Sequence, residues 1–588
     1  TTVTTDDYVA RYTSLFPLGR DRALAVSADG RAIPIRALAG QLLQRCTGSR
    51  TIEQHCAVAW QAQVSGDPHA IAAAAEELLR TGLLTPVRRP PTPASVAATA
   101  PLDTVAITTA DRPVILKRCL NALAEQVQDR TSPITLFVID GSSSESAAST
   151  NRALVAALAS YRVRARYVGR GTARRLHHGL AGGRSRLGPV KRLLTPGGIG
   201  SNRNLALVLA GGRRFLFIDD DVVCRVWQPS DSRPGLALGG HGNCEHWTFY
   251  PHRRAALADL RPADSSLLTA HGAVLGSTLS ALAHAGGGPD ASAACRHVLE
   301  AWRHADRYTV RVTCAGLAGD AARHCSHSLL FLSGPTRDLL ASSASQCAVA
   351  FTSREVRRSA HALTVTHDTA CATYCMGIDA TTLVPPFMPH GRGEDAVFGA
   401  MLGMIDPHAL FAHLPMGVIH RSPRPARYSR NAMHSATHTR LSDVFLFFAK
   451  QCGDSTVAAT PHDRLARFGR CLCDLAALPP TTFLTRVTEL LLWVRCGALT
   501  ALEAQLASPL APPHLRRVFE DYYDTFWKRA CRPDYFVARE HRRGTVDERV
   551  RLVQRDVRAF GEGILACARI SELGDHLGGS SQSVALGA

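Results

Sequence analysis

The chain has 588 residues, too long for a single hydrophobic core, so two to four domains are expected. Its formal charge of +18, from 67 Lys and Arg against 49 Asp and Glu, implies an anionic partner without saying whether that is nucleic acid, a membrane face or a phosphorylated substrate. No run of about 18 uncharged apolar residues is present and the first ten residues carry two Asp, which argues against a membrane span and a secretory signal; 17 irregularly spaced Cys read as reduced thiols, and a cytoplasmic protein is expected.

Residues 22 to 35 read as a hairpin turning at Asp29-Gly30. Three amphipathic helices are expected at 38–46, 51–63 and 69–79, the second capped by Thr51 with Glu53 nearby, and the segment closes on LLRTGLL at 78–84. A hairpin, three helices and that closing segment together resemble the PqqD-like peptide-recognition domain, a small winged-helix-like unit of enzymes that modify ribosomally made peptides. The resemblance covers about 70 residues of a first unit expected at 1 to 88 and implies that this unit binds a precursor peptide. Residues 89 to 102 have the Pro, Ala, Thr and Ser composition of a linker.

From 103 to 430 apolar strands, expected at 104–108, 134–139, 165–168 and 215–218, alternate with helices in the manner of a mostly parallel sheet. Residues 161 to 200 hold ten Lys or Arg and no acid, interleaved with Gly, and read as a mobile basic loop. Residues 225 to 310 look like an insertion rich in Gly, Ala and His. Leucine-rich periodic segments at 440–451, 461–475, 481–505 and 514–530 predict a helical region over 431–573, followed by a disordered tail at 574–588. Cys471 and Cys473 read as packed thiols, because no second pair stands at zinc-ligand spacing.

Five segments carry the chemistry. The first strand leads into Thr109 to Asp111, and the second ends at Asp140, where an open α/β sheet would hold a base or ribose, or where a carboxylate would cap the next helix. After the apolar run 215–218 come Asp219, Asp220 and Asp221; alternation along an extended chain puts Asp219 and Asp221 on one face, a pair suited to a hard divalent cation completed by substrate phosphates. A Gly-rich approach at 197–200 opens a helix through Arg203-Asn204 and could present backbone N–H groups to an anion. Glu394 and Asp395 begin another helix, where acids also suit the dipole, and His420 ends a later apolar strand.

The order of these segments resembles a family-2-type glycosyltransferase of the GT-A fold. The resemblance implies a Rossmann-like mixed α/β sheet over 103–430, flanked by the winged-helix-like and helical regions, and a hexosyltransferase using a UDP- or GDP-sugar with Mn2+ or Mg2+. It further implies donor contacts from Thr109, Asp111, Asp140, Arg203 and Asp219, metal ligation by Asp219 and Asp221 with His420 as a further ligand, and an inverting reaction with Asp395, or else Glu394, as base. Asp320 and the histidines at 241, 246 and 252 could shape the acceptor side. Two other readings remain: the same enzyme acting on a cell-envelope or capsular glycan, and a non-catalytic nucleic-acid-binding protein. Against the last, the first unit has no dense Lys/Arg recognition helix.

Overall fold

The computed structural model describes residues 8–27, 31–46, 50–86, 102–174, 188–195, 197–240, 244–258, 260–286, 289–290, 296–323, 325–332, 334–423, 426–429, 437–453, 460–507, 512–532 and 535–576. The Asp29-Gly30 turn, nearly all of the expected linker, the middle of the basic loop and most of the expected tail lie outside the described residues.

The first unit contains β1 (Tyr8–Ala10), β2 (Tyr12–Leu18), β3 (Arg22–Ser27) and β4 (Ala32–Arg36), then the helices Ala37–Arg45, Ile52–Gln61 and Pro68–Arg80, then β5 (Leu84–Pro86). Strands β2, β3 and β4 make an antiparallel sheet, and β1 pairs with β5 to tie the ends of the unit together. Along β3 the buried residues Ala23, Ala25 and Ser27 alternate with more exposed ones, the period of a strand with one face on a core. The second helix opens on a capping box between Thr51 and Gln54; Gln54 and not Glu53 is the reciprocal partner, because the third helical position reaches back to the cap. Leu42, Leu43, Ile71 and Leu78 fill a core distinct from that of the rest of the chain.

The next strands are β6 (Thr104–Thr109), β7 (Ile134–Asp140), β8 (Val163–Val168) and β9 (Arg214–Asp219), all mutually parallel where paired, with the helices Pro113–Val127, Glu145–Ala156 and Ile199–Ala210 in their connections. Every residue of β6 is buried, as a central parallel strand covered on both faces requires. The chain steps outward from β6 to β7 and β8, then returns to set β9 on the other side of β6. The carboxyl ends of β6 and β9 therefore flank a topological switch point, where open α/β sheets bind ligands.

There follow β10 (Val222–Gln228), β11 (Leu236–Leu238), β12 (His246–Tyr250), β13 (Arg261–Pro262), β14 (Pro289–Asp290), β15 (Thr309–Asp320), β16 (Glu355–Ser359), β17 (Leu363–Thr366), β18 (Cys375–Asp379) and β19 (Ala409–His420). Strand β18 runs antiparallel beside β9, β15 antiparallel beside β18, and β19 parallel beside β15, so one mixed sheet continues through β17 and β11 to the edge strand β14. Residues 225 to 310 thus supply strands to the main sheet. Strand β10 leaves straight after Asp221 and pairs with β19, Val222 opposite His420, which brings residues two hundred positions apart to one place.

The helices Leu441–Gly453, Pro461–Ala477, Pro480–Ala507, Pro513–Ala530 and Val546–His576 complete the described chain. Their buried Phe445, Phe468, Phe519 and Phe560 belong to the same apolar cluster as Phe215, Phe217 and Phe398, so this region continues the core of the sheet. Helices Pro461–Ala477 and Val546–His576 meet at Gly469 and Gly561, where a Cβ on either would lie 3.0 or 2.9 Å from the other's carbonyl oxygen. Among the described residues no helix is long and apolar enough to cross a membrane, and each described cysteine, Cys471 and Cys473 included, is a free thiol.

Candidate functional site

Asp219 is the last residue of β9, and Asp220 and Asp221 form the turn into β10. Asp220 points into the protein: it is fully buried, Thr109 Oγ1 donates to its Oδ2 at 2.6 Å, and Arg112 lies 2.7 Å from its Oδ1. Burial pushes the Asp220 carboxyl up to about 7 against the pull of Arg112 and Thr109. Asp219 and Asp221 keep side chains 24% and 13% exposed, while that of Asp220 is fully covered. Burial also raises the Asp219 carboxyl, against Arg203. At Asp221 burial is outweighed by His420 and Arg112, which bring its carboxyl down to about 2.

His420 is buried at the end of β19, its Nε2 3.1 Å from Asp221 Oδ1 and its Nδ1 2.8 Å from the carbonyl oxygen of Asp320. A carbonyl can only accept, so Nδ1 carries a proton and the ring's free choice rests at Nε2, facing the carboxylates. Burial disfavours the imidazolium, but Asp221 and Asp320 raise its pKa. Asp320 is itself fixed: Arg354 donates to both of its oxygens at 2.8 Å, and Ala322 N donates at 2.9 Å. Asp320 therefore supports His420.

Arg203, only 2% exposed, joins the two acidic segments. Its guanidinium donates to Glu394 Oε1 and, at 3.1 Å, to Asp219 Oδ1, with the rings of Phe217 and Phe387 beside it. Glu394 is thereby spent in a buried ion pair. Asp395, partly exposed and the next residue of helix Glu394–Ile405, forms no ion pair among the described residues; its Oδ1 accepts from Ala396 N at 2.9 Å. Burial first, and the neighbouring Glu394 second, push Asp395 up to about 6.

The loop before Glu394 is clamped to helix Ile199–Ala210. Asn204 donates to the carbonyls of Leu193 and Phe387 at 3.1 and 2.9 Å and accepts from Phe387 N at 2.7 Å. A Cβ at Gly198 would fall 2.2 Å from Pro389 O, and one at Gly200 1.8 Å from Met388 O, while Ser201 N donates to Pro389 O at 3.3 Å. These glycines permit a close backbone-to-backbone contact. Gly200→Ala is accordingly expected to cost about 1–3 kcal/mol of stability by overpacking, read as a lowered Tm. A wild-type Tm would show that the loop is not clamped there.

The other expected donor residues are engaged within the protein. Asp140 is buried and accepts from Ser142 N at 2.8 Å, Asn151 Nδ2 at 2.9 Å and Tyr167 Oη at 2.8 Å. Asp111, exposed and at φ 55, accepts from the Ser143 and Ser144 amides and the Ser143 hydroxyl, which hold its carboxyl below the usual range. It pins the loop after β6 to the loop after β7. Arg112 and Asn204 have larger parts here than their sequence motifs suggested, because their partners lie about a hundred or more positions away. Of the three histidines, His246 packs on His361 and His252 caps helix Arg253–Leu257, while the third lies outside the described residues. Among the described residues no group of three or more His, Cys, Asp and Glu is already arranged to hold a metal ion.

No family model matches the chain, and no curated protein matches it in sequence. Among solved structures it is similar to a mannosyltransferase, PcManGT from Pyrobaculum calidifontis, in complex with GDP-Man and Mn2+. The match has 13% identity, covers 82% of this chain and 98% of that one, and has a TM-score of 0.27, a likeness too slight to carry an argument. What the structure itself establishes is a mixed α/β sheet with a cluster of acids, two arginines and a histidine at the carboxyl ends of its central strands.

Proposed function

We propose that this chain is a metal-dependent, inverting glycosyltransferase that moves a sugar from a UDP- or GDP-sugar to a peptide recruited by its N-terminal unit. The observation that supports it most is the meeting of the Asp219 to Asp221 turn, Arg203 and the Glu394-Asp395 turn at a topological switch point. The donor set suits Mn2+ or Mg2+: two partly exposed carboxylates, Asp219 and Asp221, and the Nε2 of His420, whose ring is oriented by the Asp320 carbonyl. Such an ion, when bound, supplies charge to offset the leaving diphosphate. Arg203 holds Asp219 and Glu394 in register. Asp395 takes the proton of the acceptor nucleophile as that atom bonds to the anomeric carbon, and the bond from that carbon to the diphosphate oxygen breaks with its electron pair. A screen of nucleotide sugars for Mn2+- or Mg2+-dependent binding and hydrolysis tests this; no binding of any donor in the presence of either ion would overturn it.

The peptide acceptor is supported by the first unit's own core and by the open edges of its sheet, where β2 exposes Phe16 and Leu18 at 52% and 54%. A strand edge beside exposed apolar side chains can take an extended peptide by main-chain pairing. Removing residues 1 to 88 is expected to spare donor hydrolysis and to weaken modification of a full-length precursor at least about tenfold, with less effect on a leaderless acceptor at high concentration. The comparison uses both acceptors with both proteins, after circular dichroism establishes that the shortened chain is folded. Equal efficiency on the full-length precursor would move a glycan acceptor ahead.

A further inference from the structure

Beside the carboxylate site lies a cavity of about 120 Å³ that no step above uses. It shares walls with that site: Cys371 Sγ donates to the Asp395 carbonyl at 3.3 Å, and the Tyr374 carbonyl accepts from Asp219 N at 3.0 Å. Its walls carry three basic side chains, Arg323, Arg358 and His413, and two acids, Glu245 and Asp368. Sheet register builds the cluster, since Trp247 on β12 faces Arg358 on β16 and Cys314 on β15 faces His413 on β19.

Both guanidiniums lie against the ring of Trp247, at 4.7 Å for Arg358 and 4.8 Å for Arg323. Glu245 lies 3.3 Å from Arg358 and 3.8 Å from His413, and Arg323 Nη1 turns instead to Ser328 Oγ at 2.8 Å. The Nε atoms of Arg323 and Arg358 are buried with no hydrogen-bond partner, and Arg358 is only 5% exposed. Guanidinium donors are seldom left unmade in a protein interior, because their desolvation is costly. Burial, and then the neighbouring Arg358, lower the pKa of Arg323, as expected of like charges short of a counter-ion. Burial also opposes charge on His413, but Cys244 and Glu245 raise its pKa well above the ordinary value.

We propose that this cavity binds a carboxylate of the acceptor, an acidic side chain or a free carboxyl terminus, through Arg323 and Arg358. Among the described residues Arg358 has Glu245 as its counter-ion and Arg323 has no carboxylate within ion-pair distance, which leaves one positive charge that a monoanionic carboxylate neutralises and a phosphate dianion overshoots. The planar guanidinium fork matches a planar carboxylate, and the Trp247, Tyr374 and Leu332 walls accept a short methylene stem. That the ligand is an acceptor rests on the glycosyltransferase reading; the existence of a carboxylate site does not.

The test is calorimetry on the full-length protein with four probes: N-acetylglutamic acid amide, with only a side-chain carboxylate; N-acetylglutamine, with only a terminal one; N-acetylglutamine amide, with neither; and inorganic phosphate. One of the two carboxylates is expected to bind at a single site at least about tenfold more tightly than the neutral amide and than phosphate, and the tighter one identifies the source. Arg323→Gln, which leaves the Glu245 and Arg358 pair intact, is expected to remove that preference while nucleoside-diphosphate binding with Mn2+ stays as in wild type. Equal binding of charged and neutral probes, tighter binding of phosphate, no saturable binding, or a preference that survives in Arg323→Gln would each overturn the proposal. If the carboxylate binds but no nucleotide sugar does, the cavity inference stands and the glycosyltransferase reading falls.

Discussion

Replacing Asp395 by Asn is expected to lower turnover by on the order of a hundredfold or more while leaving nucleoside-diphosphate affinity nearly unchanged. The reason lies in how the neighbouring acids are held. Glu394 is buried and locked to Arg203, so its charge is committed to structure, whereas Asp395 is partly exposed, without an ion pair among the described residues, and raised to about 6 by burial and by Glu394. A base must be ionised to accept a proton. The rate should therefore fall as pH drops through about 6 and level off above it, and this acid limb should vanish from the residual activity of Asp395→Asn. Glu394→Gln should act differently, costing about 3 kcal/mol of stability because it leaves Arg203 buried with Asp219 alone. Steady-state kinetics across pH and thermal unfolding of both variants decide the assignment. A folded but inactive Glu394→Gln beside an active Asp395→Asn would reverse it.

Features set by neighbours in sequence were legible, and features set by distant partners were not. The strand expected at 104–108 is found as Thr104–Thr109, and within the Asp triplet the Asp220 side chain is covered while those of Asp219 and Asp221 keep 24% and 13% of their surface. The glycines at 198 and 200 gave no sign of the backbone they lie against, because Met388 and Pro389 stand almost two hundred positions on. Asp140 illustrates the same limit more locally: its strand-end place suits a ligand, but Ser142, Asn151 and Tyr167 fill its two oxygens. The Arg323 and Arg358 cluster left no sequence signal at all. Its members stand on separate strands and in a loop, without motif spacing, and only the registers of β12 with β16 and of β15 with β19 gather them.

Asp219→Ala and Asp221→Ala are each expected to abolish transfer and to weaken Mn2+-dependent binding of a nucleoside diphosphate by at least about a hundredfold, with Asp220→Ala the mildest of the three. Asp219 is approached by Arg203 through one oxygen, and Asp221 by His420 at one oxygen and by Arg112, 3.7 Å from the other; each side chain retains some exposed surface toward which a cation could come. Asp220 has no such surface; its oxygens are taken by Thr109 and Arg112, and Arg112, 39% exposed, can turn to water when the carboxylate is removed. His420→Ala should fall between these cases, because the two carboxylates would remain while one nitrogen ligand is lost. Calorimetry of the nucleoside diphosphate with and without Mn2+, run on all four variants, separates ligation from folding, since a variant that merely misfolds loses the metal-independent part of the binding as well. Metal-dependent affinity that survives unchanged in both Asp219→Ala and Asp221→Ala would remove these carboxylates from the metal site. Their strand-end cluster would then be a structural network, with Arg112, Arg203 and His420 as its permanent counter-charges.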